Sequence, residues 1–205
     1  MAASLWLLPP PGPLSAALQT LISTTLPPRI PGPVPDFQPH ITISSGIPLS
    51  SPSNFQNILD SIDLAPPKIS FKRLRYGTAF WTKITIEIHK SPSLKSLAVS
   101  CRAAFLEQYS KADAEEWVEK YTTPAESGQQ GFIPHLSLVY YGDDVEGLVR
   151  AGVGSDVNDA GIETEEVESE GVKEMGGWIG GKLVVVDTTK EVEEWKDSIL
   201  AERVL

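Results

Sequence analysis

The sequence predicts an α+β fold, and three observations carry that expectation. One strand-like frame occurs twice, as Pro39-His40-Ile41-Thr42-Ile43 and as Pro134-His135-Leu136-Ser137-Leu138, matching in residue type at every position. Other segments show the two-residue alternation of half-buried strands, clearest at Ile84, Ile86 and Ile88. Between them lie stretches whose apolar residues recur at helical spacing. A chain of 205 residues, 41% of them hydrophobic, suits one compact unit over 1–205, or two lobes sharing a core.

Taken in order, Leu5-Trp6-Leu7-Leu8 reads as a first strand, because no basic segment precedes it and Pro9, Pro10, Pro11 and Pro13 end it before signal-peptide length. Leu14 to Leu26 has a helical stripe through Ala17, Leu18, Leu21 and Ile22. The first motif strand follows a proline- and glycine-rich linker and closes at Gly46 and Pro48. Ser51 or Ser53 is positioned to cap a short helix running to Ile62. Residues 68 to 89 read as a hairpin that turns at Gly77-Thr78, with Lys83, Thr85 and Glu87 on the face opposite the isoleucines.

A helix is expected from Ser93 to Tyr109, burying Leu94, Leu97, Ala98, Cys101, Phe105 and Leu106, and a second segment from Asp113 as cap to Tyr121. A loop over Pro124 to Gly131 leads to the second motif strand. Asp144 to Arg150 suggests a short helix, residues 151–161 a flexible turn, and Ile162 to Val167 a charged edge strand whose glutamates face water. The last strand is expected over Trp178 to Val186, with a closing helix from Lys190 to Leu200. Gly176 to Lys182 has the spacing of a phosphate-binding loop. Leu183 stands where that loop needs Ser or Thr, and a strand-forming run follows where it needs a helix, so a nucleoside-triphosphate site is rejected.

The repeated frame carries the functional signal. The chain has three histidines, and two of them share the frame, which arises by chance at a given histidine with a likelihood on the order of one in a thousand. Strand alternation sends Ile41 and Ile43 to the core and puts His40 and Thr42 on the other face; Leu136 and Leu138 do the same for His135 and Ser137. Each segment thus offers an imidazole beside a hydroxyl, with the imidazole at the mouth of its strand. Two imidazoles that titrate near neutrality can supply both a base and an acid, and two hydroxyls can donate to the oxygens of a phosphorane-like transition state. His89 lacks the flanking residues of the frame and reads as a surface residue. Cys101 lies within a buried stripe and reads as a small hydrophobe.

These motifs, together with Ser4-Leu5-Trp6-Leu7-Leu8-Pro9-Pro10, Phe37-Gln38 and Val139-Tyr140-Tyr141-Gly142-Asp143, resemble the two-histidine (2H) phosphoesterases, and within them the cyclic phosphodiesterases of fungi and plants. The resemblance covers most of the chain and weakens between 144 and 175. It implies two pseudo-symmetric lobes of antiparallel sheet with outer helices and a central cleft. It also implies hydrolysis of ribose cyclic phosphates: ADP-ribose 1″,2″-cyclic phosphate, and nucleoside 2′,3′-cyclic phosphates opened to 2′-phosphates. On the same ground His135 is the base and His40 the acid, and Tyr140 contacts phosphate, although strict alternation would put Tyr141 on the histidine face. Phe80 and Trp81 are candidates to stack on the base, or equally to pack the hairpin.

A phosphate- or RNA-end-binding module without turnover is the alternative reading, and turnover of a cyclic nucleotide separates the two. A zinc site on His40 and His135 lacks an adjacent third ligand, so no metal or other cofactor is expected. The net charge of −10 argues against extended nucleic-acid binding, though a small cyclic phosphate remains possible where donors are concentrated. One cysteine excludes an internal disulfide and makes a cytoplasmic location the default, and a monomer is expected. No stretch is long and apolar enough for a membrane span. The resemblance keeps Golgi association, as in some fungal relatives, open.

Overall fold

The computed structural model describes residues 2–49, 54–63, 65–106, 108–120 and 131–205. Eight strands, all paired antiparallel, form β1 (Ala2–Leu8), β2 (Ile41–Pro48), β3 (Lys68–Tyr76), β4 (Ile84–Ile88), β5 (His135–Val139), β6 (Gly177–Ile179), β7 (Lys182–Asp187) and β8 (Ile199–Val204). Their order is β6-β3-β4-β5-β2-β1-β7-β8. This is the α+β architecture expected, with one four-strand lobe either side of the β5–β2 seam. That seam is narrow, its register consisting of Ile41 opposite Leu136.

Among the described residues the α-helices are α1 (Pro13–Thr20), α2 (Phe55–Ser61), α3 (Pro92–Phe105), α4 (Lys111–Glu119) and α5 (Gly147–Asp159). α3 packs on β2 and β3, α4 on α3, and α2 on β8. Leu94, Leu97, Ala98, Cys101 and Phe105 form the buried stripe of α3 as expected, and together with Ile41, Ile43, Ile84, Ile86, Leu136 and Leu138 they belong to the continuous apolar core. The other sheet face is left for the cleft. Among the described residues, no helix is long and apolar enough to cross a membrane.

Several local expectations need correction. The Trp178–Val186 stretch is two strands, because Gly180 (φ 75°) and Gly181 (φ 117°) break it, and a Cβ on Gly181 would stand 2.4 Å from the Leu8 carbonyl oxygen. β6 pairs with β3 at one end of the strand order, and β7 pairs with β1 next to the β8 edge at the other. Three residue steps span at most about 10 Å, so the sheet must curl until those ends approach. The curl forms the cleft. Gly180 and Gly181 form the tight connection between the two lobes.

The closing helix is replaced by a short 3-10 turn, Val192–Asp197, and the edge strand β8. α5 runs through the expected flexible turn: Val149, Val153 and Val157 lie four apart, Val153 and Val157 are buried, and Asp156 holds Arg29 at 2.7 Å. Periodicity outweighs the glycine- and aspartate-rich composition there. Residues 162–167 form no strand; Glu163 and Glu165 pair with Lys173, Glu166 with Arg73 and Glu168 with Lys68. His89 is half-buried rather than on the surface, with its Nε2–H donated to the Glu165 carbonyl at 2.6 Å. Ser110, not Asp113, caps α4, and Asp113 completes the capping box by accepting from the Ser110 amide. Asn54 occupies the N-cap of α2. Ser51 and Ser53 lie outside the described residues, as does residue 121 and most of the loop expected over 124–131.

Candidate active site

The curled face encloses a cleft of about 1020 Å³, and His40, Thr42, His135, Ser137, Tyr140 and Trp81 all line it. The two motifs run antiparallel across the Ile41–Leu136 rung. One residue further along in each direction, His40 lies towards Ser137 and His135 towards Thr42. Each lobe therefore sets its imidazole beside the other lobe's hydroxyl.

The two histidines are anchored alike. His40 Nδ1 lies 2.7 Å from the Gln38 carbonyl oxygen and His135 Nδ1 lies 2.9 Å from that of Ile133, in each case the residue before the motif proline. A carbonyl oxygen only accepts, so Nδ1 carries hydrogen in both and Nε2 is the nitrogen available for proton exchange. Pro39 and Pro134 thus do more than start a strand. Each lies between an imidazole and the backbone carbonyl that accepts its Nδ1 hydrogen.

Their surroundings differ. His40 is only 4% exposed, lies flat against Trp6 at 3.8 Å between ring centres, and has its Nε2 3.4 Å from the Tyr140 hydroxyl. The imidazole stands at the mouth of its strand as expected, and Trp6 from β1 covers it. Burial pushes its pKa down to about 4, against the Gln38 hydrogen bond and with help from the His135 charge. His135 is half-exposed, and its pKa is lowered first by burial, against the Ile133 hydrogen bond and with help from Arg75.

On β4, Glu87 is the cross-strand partner of His135 and Thr85 that of Ser137. Burial opposes ionisation of Glu87, but the Arg73 Nε–H at 2.8 Å and Lys72 Nζ at 3.1 Å outweigh it and hold the carboxyl below its ordinary range. Its charge is therefore satisfied away from the imidazole. The Ser137 hydroxyl donates to the Trp81 carbonyl at 3.0 Å. Its single proton is aimed at the loop, so it must rotate to serve a ligand in the cleft.

β5 ends at Val139, which releases Tyr140 from strand alternation. Its ring stacks on Phe37 at 4.1 Å and its hydroxyl turns to His40, while the Tyr141 hydroxyl donates to the Pro31 carbonyl at 3.1 Å. Trp81 is 51% exposed and stacks on Trp195, 5.7 Å between centres. Phe80 is absent from the cleft lining and meets Trp81 edge-on at 4.6 Å, so it supports that ring from behind. Sequence reasoning missed Trp6, Trp195, Arg75 and the position of Glu87. Arg75 could have been found: the core positions shift phase between Phe71 and Leu74, where β3 has a register irregularity, and that shift turns Arg73 and Arg75 to the cleft side. Among the described residues no three His, Cys, Asp or Glu side chains group as a metal site.

An antiparallel two-lobed sheet with a histidine and a hydroxyl from each lobe at its seam is the architecture of a two-histidine phosphoesterase. A family model described as cyclic phosphodiesterase-like protein matches residues 1–205, and the chain belongs to that family of enzymes. It is 34% identical over 208 residues to a 2′,3′-cyclic-nucleotide 3′-phosphodiesterase of Phaeosphaeria nodorum, covering 99% of this chain and 98% of the relative. Proteins of the same name from Neurospora crassa and Saccharomyces cerevisiae are 30% and 27% identical, covering 99% and 68% of this chain and 99% and 65% of theirs.

Proposed function

We propose that the protein hydrolyses ribose cyclic phosphates, opening nucleoside 2′,3′-cyclic phosphates to 2′-phosphates and ADP-ribose 1″,2″-cyclic phosphate to ADP-ribose 1″-phosphate. The observation that carries this reading is the matched Nδ1 anchoring of His40 and His135 in one cleft. A cyclic phosphate seated over the β2–β5 seam has an imidazole on either side. The Nε2 of one takes a proton from water as the water oxygen bonds to phosphorus. The Nε2–H of the other gives a proton to the ribose oxygen as its bond to phosphorus breaks, and the two imidazoles end with their charge states exchanged.

The resemblance to family members assigns His135 as base and His40 as acid. A buried imidazole that stays neutral in the empty cleft needs a bound phosphate anion to hold its proton, which ties the acid form of His40 to substrate occupancy. Thr42, and Ser137 once turned from the Trp81 carbonyl, donate to the non-bridging oxygens, and the Tyr140 hydroxyl stands beside His40 to do the same. Trp81, backed by Trp195 and Phe80, offers a face to the base.

The test is incubation of purified protein with 2′,3′-cyclic AMP and with ADP-ribose 1″,2″-cyclic phosphate, the products being resolved by chromatography. Formation of adenosine 2′-phosphate, lost in the His40→Ala and His135→Ala variants, is expected. Tight binding of 2′,3′-cyclic AMP without turnover would replace the hydrolase with a binding module.

A further inference from the structure

An acidic chain that holds an anion must gather positive charge locally, and the cleft lining shows where. Among the described residues that line it, the permanent cations are Arg75 and Arg102. Arg102 is taken up by two rings, its guanidinium carbon 4.4 Å from the centre of Tyr109 and 4.1 Å from that of Trp117. The Arg75 guanidinium has no hydrogen bond or ion pair among the described residues, while its neighbour Arg73 is held by Glu87 at 2.8 Å. A half-buried guanidinium on the cleft wall, with no anionic partner among the described residues of a protein of net charge −10, can take an anionic ligand.

Its register says which anion. Arg75 on β3 is opposite Thr85 on β4, which is opposite Ser137 on β5. Neighbouring strands lie about 4.8 Å apart, so Arg75 starts about 10 Å from the strand that bounds the catalytic seam. A phosphate over the β2–β5 seam is held from its other flanks by the histidines. Arg75 stands near the end of β3, and the segment that follows it contributes Tyr76, Gly77, Thr78 and Trp81 to the lining of the same cleft.

We infer that Arg75 forms a second anion subsite, one ribose away from the reacting phosphate, and selects substrates that carry a further phosphate such as a 5′-phosphate on the same nucleoside. This rests on the cyclic phosphodiesterase reading for the location of the first phosphate. Arg75 lines the same cleft as His135, and its charge is within electrostatic reach of that imidazole, which supports the placement. A phosphate bound at Arg75 would screen that charge, so such a substrate also relieves part of the pressure against protonated His135.

The experiment pairs a change in the ligand with a change in the protein. Turnover of 2′,3′-cyclic AMP and of its 5′-phosphorylated form is measured for the native protein, Arg75→Gln and Arg75→Lys, alongside calorimetric Kd values for adenosine 2′-phosphate and adenosine 2′,5′-bisphosphate. The ratio of kcat/KM, phosphorylated over unphosphorylated, should fall about 10- to 100-fold in Arg75→Gln, the scale of one hydrogen bond to a charged group. The Kd ratio should move alike, with Arg75→Lys recovering part of both. If Arg75→Gln weakens both ligands equally, or neither, the subsite is overturned. If the native protein turns over neither substrate, the hydrolase reading fails, and the Kd ratios still decide on Arg75.

Discussion

The His40 and His135 halves of the cleft are built on one backbone plan and surrounded by different chemistry. In both, a proline precedes the histidine and the carbonyl two residues back takes the Nδ1 hydrogen. Around His40 the remaining space is aromatic: Trp6 lies on the ring and Tyr140 closes over Nε2. Around His135 it is polar and more open, with Glu87 beside it in register and Arg75 within electrostatic reach. Repetition of a motif therefore copies geometry but not environment. The same imidazole can be set to different tasks by the residues that cover it.

The largest effect that could break this comparison comes from the histidines. His40→Ala and His135→Ala should each lower kcat at least ~10²-fold, and the double variant should lose less than the product of the two if the pair acts as one unit. They should differ in stability. His40 fills space beneath Trp6, so its removal should cost roughly 1–3 kcal/mol in urea titrations, against less than about 1 kcal/mol for half-exposed His135. Equal losses would erase the structural distinction. Near-full activity in folded His135→Ala would refute the two-histidine mechanism.

The hydroxyls come next. Thr42→Ala should reduce kcat roughly 10- to 1000-fold, as the loss of one donor to the transition state. Ser137→Ala should fall in that range and also release the Trp81 carbonyl, so it should raise KM for 2′,3′-cyclic AMP where Thr42→Ala does not. Identical KM values in the two variants would show that the Trp81 loop is indifferent to Ser137.

Smaller in amplitude is the pH dependence. Both histidines have lowered pKa values, so the free enzyme loses its protonated acid as pH rises through those values, and kcat/KM should peak on the acid side of the ordinary imidazole value of 6.5. The optimum of kcat should lie higher, because the bound phosphate anion favours protonation. Coincident optima would mean that the anion does not contact the acid. Stability follows the same sign: with the folded His40 value near 4 and the unfolded one near 6.5, the unfolded chain binds more protons between them. Stability due to His40 should thus be present above 6.5 and fade as pH falls towards 4, and His40→Gln should flatten that slope in thermal melts. The smallest expected effect is that of EDTA, which should leave turnover unchanged after prolonged treatment; loss restored by zinc or manganese would assign the proton transfers to a metal-bound water.

Much of the architecture was legible in the chain itself. The two Pro-His frames, the isoleucine alternation of β4 and the apolar stripe of α3 depend on nearest neighbours and a fixed period, so residue order alone specifies them. The same locality explains the failures. α5 was obscured by its glycines and aspartates, and β6 and β7 were merged, because composition says nothing of a connection whose two sides pair with different lobes.

What the sequence determined by itself is which side chains could perform the chemistry: two imidazoles and two hydroxyls, each carried on the polar face of a strand. What only the tertiary structure decided is their setting. Trp6, Trp195 and Arg75 stand far from the motifs in the chain and line the same cleft: Trp6 pairs with Thr42 across β1 and β2, Arg75 lies two strands from Ser137, and Trp195 packs on Trp6. Burial, stacking and electrostatic influence depend on distance in space, and no local pattern of residues encodes that distance.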